Sequence, residues 1–184
     1  MPAARESLLD AAGAALAARP WPEVRMVDVA AAAGVSRQTL YNEFGGKAGL
    51  GRALVRREAD RYLDGVDRAL SAPLRAPERL VAVAEWTVRA ARAQPLVRAL
   101  LTGSWGPGLP AASRSEPGPG DLARAVRDRA AAALTPGEGP QRCELAVRLA
   151  LSYVIAPGEE PGAGELLGLL SAPNRTAGAR RPPG

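Results

Sequence analysis

Histidine is absent from this chain, and cysteine (Cys143) and lysine (Lys47) occur once each among 184 residues. Without histidine there is no imidazole base, no His-containing triad and no His-containing zinc site. One cysteine excludes an internal disulfide framework and Cys-rich metal sites, and it suits a reducing compartment. The glycines sit in Pro-rich stretches rather than between a strand and a helix, and neither a Walker loop nor a dinucleotide fingerprint is present. No cofactor and no catalytic role are therefore expected. No apolar run approaches the roughly 18 residues that a membrane span requires. The N-terminus lacks the charged, apolar, small-residue progression of a signal peptide. The expected location is the cytoplasm, with no membrane partner.

Aromatic residues make up only 4% of the chain, against 47% apolar residues dominated by alanine and leucine. Small side chains with few β-branched runs favour helices packed closely on one another. The basic excess is a poor guide to function. Residues 1–70 hold ten basic and nine acidic side chains, while residues 71–184 hold fourteen and ten, three of those arginines in the tail. A net charge of +5 distributed this way does not itself mark a nucleic-acid surface. Placement of individual residues has to do so.

Leu8, Leu9, Ala12, Ala15 and Leu16 recur at helical spacing, predicting a helix over 4–18 that ends at Arg19-Pro20-Trp21-Pro22. A break at Gly45-Gly46 precedes a long helix over 47–70. Further helices are predicted over 78–93, 95–101, 121–134, 140–155 and 163–171. Residues 103–120, rich in Gly, Pro and Ser, read as a mobile loop, and the chain from Pro173 as a disordered tail. No strand-period alternation is present, so the expected fold is all-helical and in two parts.

The most informative stretch is Val27 to Lys47, VDVAAAAGVSRQTLYNEFGGK. A short helix with Val27, Val29, Ala30 and Ala33 on its buried face meets a turn at Gly34, where glycine tolerates a positive φ. Val35 fills the angle between helices. Ser36 is placed as N-cap of a second helix. Burial of Leu40 and Phe44 at i and i+4 turns Arg37, Gln38, Tyr41 and Asn42 outward. Arginine reads guanine through two hydrogen bonds, and glutamine or asparagine reads adenine. Thr39 and Tyr41 carry hydroxyls for phosphates, and Lys47 opens the long helix as a further phosphate ligand. The same polar set also fits the solvated face of an ordinary helical hairpin.

The segment AAGVSRQTLYNEFGGKAGL resembles the N-terminal DNA-binding domain of the TetR family of transcriptional regulators. The likeness rests on Ala33-Gly34-Val35-Ser36, Thr39-Leu40-Tyr41, Phe44 and Lys47, with the Val27-Asp28-Val29-Ala30 entry and the preceding helix, over about residues 5–66. It implies base-facing roles for Arg37, Gln38 and Asn42 and phosphate roles for Thr39, Tyr41 and Lys47. Members of that family often carry Thr where Met26 stands, which caps the first short helix and touches phosphate. Many carry His where Glu43 stands. An acidic Glu43 is expected to face away from DNA.

The resemblance further implies an N-terminal three-helix helix-turn-helix domain (1–47) and a C-terminal helical ligand-binding and dimerisation domain (48–171), followed by the tail (172–184). Pocket candidates are the scarce large residues Trp86, Leu100, Trp105 and Tyr153, with Thr87 as a polar handle. Trp86 and Tyr153 also suit an ordinary core, and Trp105 either pins its loop or lids a cavity. Dimer candidates are Leu145, Leu149, Ser152 and Tyr153 on the 140–155 helix. Leu166, Leu167, Leu169 and Leu170 on the last helix join them, since four leucines exceed one buried stripe. Cys143 reads as structural. The expected function is a homodimeric repressor that binds a palindromic double-stranded DNA operator and is released by a small, largely apolar effector. The alternatives are an enzyme, and an interaction module of the same fold without DNA recognition.

Overall fold

The computed structural model describes residues 2–111, 117–134, 139–156, 162, 165–166 and 168. Among them the chain is entirely helical: α1 (Pro2–Ala18), α2 (Met26–Ala32), α3 (Arg37–Phe44), α4 (Lys47–Leu70), α5 (Ala76–Ala93), α6 (Pro95–Thr102), α7 (Pro119–Ala133) and α8 (Gly139–Ile155), with a 3-10 turn at Trp21–Glu23. The expected all-α architecture, an N-terminal helix-turn-helix joined through a long helix to a helical C-terminal part, is what these elements build.

The first three helices and the start of α4 enclose a small core. Leu8, Ala12, Val29, Leu40, Leu50 and Leu54 are at most 1% exposed there. α4 then runs on into the C-terminal part, where it packs against α5 and α7, and α5 packs along α8. An ionic clasp ties α1 to α4. The Arg57 guanidinium donates to Asp10 at 2.8 Å, Glu6 at 3.3 Å and the Leu9 carbonyl at 2.9 Å. Arg61 reaches the same two carboxylates from one turn further along. Arg57 and Glu58 are both nearly buried in this network, so it lies partly shielded from the water that weakens surface pairs.

Glycine has a mechanical role at Gly65, in the C-terminal part of α4. A Cβ there would overlap the Trp86 indole. Its absence lets that ring lie flat on the helix and donate from Nε1 to the Tyr62 carbonyl at 2.9 Å. Beneath it, the buried Tyr62 and Thr87 hydroxyls share a hydrogen bond at 3.0 Å. Thr87 also donates to the Val83 carbonyl at 2.8 Å.

Three expectations need correcting. Val27 is 44% exposed, and Met26 packs against the core in its place. Helix α2 begins at Met26, which puts the inward stripe on Met26, Val29, Ala30 and Ala33. The described part of the 103–120 stretch is docked rather than loose: Gly108 and Pro110 lie on the first part of the chain, and Pro110 is buried. Leu166 is only 8% exposed within its own subunit and joins the hydrophobic core. Of the predicted 163–171 helix, Glu165, Leu166 and Gly168 are described and helical. Leu167, Leu169, Leu170 and the tail lie outside the described residues.

Candidate nucleic-acid interface

The turn between α2 and α3 follows the local chemistry. Gly34 adopts φ +67°, where a side chain is strained. Ser36 is the N-cap of α3, its Oγ accepting the Thr39 amide at 3.0 Å. Leu40 is fully buried and Phe44 nearly so. Those two anchors fix the rotation of α3 and present Arg37, Gln38, Tyr41 and Asn42 on its exposed side. At the far end Gly45 takes φ +70°, its amide bonding back to the Tyr41 carbonyl to close the helix.

The outward side chains are preorganised to different degrees. Gln38 Nε2 donates to Asn42 Oδ1 at 2.8 Å, so the two amides hold each other in line along the helix. Arg37 is exposed and makes no ion pair with a described residue. The Thr39 hydroxyl is hydrogen-bonded to Ser36 Oγ at 2.8 Å. Tyr41 is 44% exposed. Lys47, the first residue of α4, is half-buried; its ammonium donates to the Pro22 carbonyl at 2.8 Å and lies 5.7 Å from the Trp21 ring centroid. One of its three protons is thereby used.

Glu43 is half-buried on the flank of α3, beside Arg5. Its carboxylate lies 3.6 Å from Arg5, whose guanidinium stacks 4.6 Å from the Phe44 ring centroid. Arg5 was not among the sequence candidates. The available signal was an acidic residue beside an anchoring aromatic, which calls for a cation. Arg25 is a second omission. It precedes Met26 at the N-terminus of α2, where no side chain caps the helix. Its exposed guanidinium is held by Asp28 at 2.8 and 2.9 Å. That hydrogen bond holds the Asp28 carboxyl below the usual carboxylate range. Arg25 thus puts a cation next to the position where a threonine hydroxyl was missed.

The five pocket candidates are not gathered into one cavity. Thr87 and Leu100 are core residues, at 0% and 1% exposure. Trp105 is half-buried and packs against the core. Tyr153 lines a cavity of about 700 Å³ between α5 and α8, with Ala84, Val88, Ala93, Ala150 and Leu166 as its apolar wall and Glu85, Arg89 and Arg92 at its polar edge. Trp86 lines a separate cavity of about 260 Å³ with Glu58, Tyr62 and Val97. Of the dimer candidates on α8, Leu145 is 53% exposed and Ser152 is exposed, while Leu149 is partly buried. Ile155, 64% exposed, extends that side of the helix and was not anticipated.

Comparison with known proteins agrees with this geometry. The sequence pattern of the family described as "Bacterial regulatory proteins, tetR family" matches residues 8–54, from the first buried leucine of α1 to Leu54 of α4. The HTH-type transcriptional regulator AlkX of Mycobacterium tuberculosis (strain ATCC 25618 / H37Rv) is 37% identical over 157 residues, covering 82% of this chain and 74% of that protein. Among solved structures, the TetR family repressor AlkX from Dietzia sp. strain DQ12-45-1b superposes with a TM-score of 0.56 at 23% identity, over 91% of this chain and 92% of that one. LfrR from Mycobacterium smegmatis, solved in complex with proflavine, superposes with a TM-score of 0.51 at 22% identity, over 92% and 93%. These two structures share the fold. The match over residues 8–54, a Ser36-capped helix after a glycine turn, and a relative alike over most of both chains together place this chain in the TetR family of bacterial transcriptional regulators, which are not enzymes.

Proposed function

We propose that the protein is a homodimeric repressor acting in the cytoplasm, with residues 1–47 binding operator DNA and residues 48–171 holding an effector and the dimer interface. The observation that carries this reading is the exposed side of α3. Arg37, Gln38, Tyr41 and Asn42 stand together on a helix whose rotation is fixed by Leu40, Phe44 and the Ser36 cap. In this reading Arg37, Gln38 and Asn42 read base edges, and Ser36, Thr39, Tyr41 and Lys47 meet phosphates.

A second copy covers the exposed side of α8 at Leu145, Leu149, Ser152 and Ile155, where apolar surface otherwise faces water. Leu166 is not assigned to that contact, being used inside its own subunit. The effector occupies the cavity between α5 and α8, whose wall is largely alanine, valine and leucine. An apolar molecule suits it, in keeping with the Dietzia relative's implication in n-alkane biodegradation. Release follows if the effector binds one body conformation better than the other.

Selection of the purified protein against random duplex DNA at moderate salt tests the core of this reading. An enriched inverted repeat is expected. With that duplex, Arg37→Ala and Asn42→Ala should relax preference at individual positions. Lys47→Ala should weaken binding evenly and reduce the salt slope by about 0.9. Salt-sensitive binding without an enriched repeat would refute sequence-specific recognition, and unchanged binding by the variants would refute the residue assignments.

A further inference from the structure

We propose that residues 103–110, which follow α6, are a positioning strap for Lys47, carrying the state of α6 to a phosphate contact by a route other than the length of α4. The proposal rests on the reading of Lys47 as a phosphate ligand. Gly103, at φ +74°, ends α6 and turns the chain toward the DNA-binding helices. A turn closed by the Leu109 amide on the Gly106 carbonyl then presents the Gly108 carbonyl, which accepts the Trp21 amide at 2.8 Å. Pro110 follows, buried. It fits because Gly51 has no side chain: a Cβ there would come within 3.0 Å of Pro110 and 3.2 Å of the Trp21 ring. Gly51 lies one turn beyond Lys47 on the same side of α4.

The Trp21–Glu23 turn is therefore held from two directions. The strap grips the Trp21 backbone through the Gly108 carbonyl, and Pro110 sits beside the Gly51 backbone that the Trp21 ring also approaches. The Lys47 ammonium lies near the ring and donates to the Pro22 carbonyl. Movement of the strap displaces the carbonyl and the ring that together set where the ammonium sits. An apolar plug would explain Pro110 and Gly51 alone. It does not explain why the far end of the contact chain is the sole lysine of the protein, seated on a carbonyl of the turn that the strap holds.

A double-mutant cycle tests this, with Lys47→Ala, Pro110→Ala and the double variant. The probe is the duplex carrying the enriched repeat or, since phosphate contacts are sequence-independent, a mixed-sequence duplex at low salt. Affinity is read across a series of salt concentrations. Pro110→Ala should weaken binding by about three- to ten-fold and lower the salt slope. Added to Lys47→Ala, it should do neither. Equal losses in both backgrounds would overturn the strap while leaving the phosphate reading intact. A silent Lys47→Ala would overturn the phosphate reading and the strap with it.

A direct measurement covers the case in which Pro110→Ala loosens the fold. Biosynthetic [ε-13C]lysine gives one side-chain NMR signal, from Lys47. In the unmodified protein it should be displaced by the Trp21 ring current. In folded Pro110→Ala it should move toward the free-lysine position, and an unmoved signal would overturn the proposal. Should Pro110→Ala not fold, the unmodified protein is titrated with the duplex while the Trp21 amide is followed by hydrogen exchange. Exchange that changes as the lysine signal shifts supports the strap. A lysine shift with unchanged Trp21 exchange overturns it.

Discussion

Gly65→Ala sets two opposing effects against each other at one site in α4. In an open helix the change is favourable by about 1 kcal/mol, because alanine loses less backbone entropy than glycine. Here the new methyl would overlap the Trp86 ring at Cε2, Cζ2 and Nε1. To accommodate it the indole must slide off α4, giving up the hydrogen bond from Nε1 to the Tyr62 carbonyl. Overpacking a well-filled contact costs about 1–3 kcal/mol, and a donor left without a partner costs about 1–3 kcal/mol more if it stays buried. With the indole N–H left buried, the net expectation is destabilisation by about 1–5 kcal/mol after the helix gain is subtracted. For a chain of this size that lowers Tm by about 3–15 °C at fixed protein concentration. The decisive comparison repeats the change in a Trp86→Leu background, where the ring is gone. There the sign should reverse, and Gly65→Ala should stabilise by up to about 1 kcal/mol. Thermal unfolding of the four proteins supplies both numbers. A stabilising Gly65→Ala in the unmodified protein, or the same destabilisation in both backgrounds, would refute the claim that Trp86 is what keeps residue 65 a glycine.

Ser36→Ala removes the cap of α3 and should destabilise by about 1 kcal/mol in denaturant melts, with operator binding weakened further because the recognition helix loses its fixed start. Arg5→Ala exposes the Glu43 carboxylate beside α3 and should weaken duplex binding; Arg5→Ala combined with Glu43→Ala should recover most of the loss in the same titration. Burial pushes the Tyr62 phenol up to about 12 and the Cys143 thiol up to about 12, from 10.0 and 9.0. Raised values mean that the unfolded chain loses these protons first, so their contribution is intact below pH about 9 and falls as pH climbs toward 12. Denaturant melts from pH 8 to 11 should show that decline, and Cys143→Ala should move its onset from near 9 to near 10. A thiol reagent at pH 8 should leave the native Cys143 unlabelled and react with it once the chain is unfolded.

Local structure was legible wherever one residue type answers one backbone need. Ser36 precedes a helix with no other cap in reach, Gly34 stands where φ is positive, and the span Lys47–Leu70 of α4 follows from a glycine pair before it and Ser-Ala-Pro after it. The α2 stripe was misread by one position because a short helix of alanines has little periodicity. With Val29, Ala30 and Ala33 facing inward, the position that completes the stripe one turn earlier is Met26, at i−3 and i−4 from Val29 and Ala30, and Val27 is left exposed. Glu43 beside Phe44 signalled the need for a cation, but not which one, since Arg5 lies 38 residues away in sequence.

Two decisions belong to tertiary structure alone. The first is which large residues surround space and which fill it. Trp86, Thr87, Leu100 and Tyr153 are comparable on paper, yet Thr87 and Leu100 are sealed in the core while Tyr153 faces a cavity. Cavities arise where alanines on two helices oppose each other, and that depends on helix register rather than on either sequence. The second is the docking of Gly108 on the Trp21 amide and of Pro110 on Gly51. A stretch rich in glycine and proline has no periodicity by which to forecast a landing site. Its place is set by the space that Gly51 leaves open. The all-helical class, the helix-turn-helix and its outward-facing residues were determined by the sequence itself, because caps, turns and i, i+4 anchors act within a few residues. Pocket, strap and clasp join segments tens of residues apart, and only the packed chain brings them together.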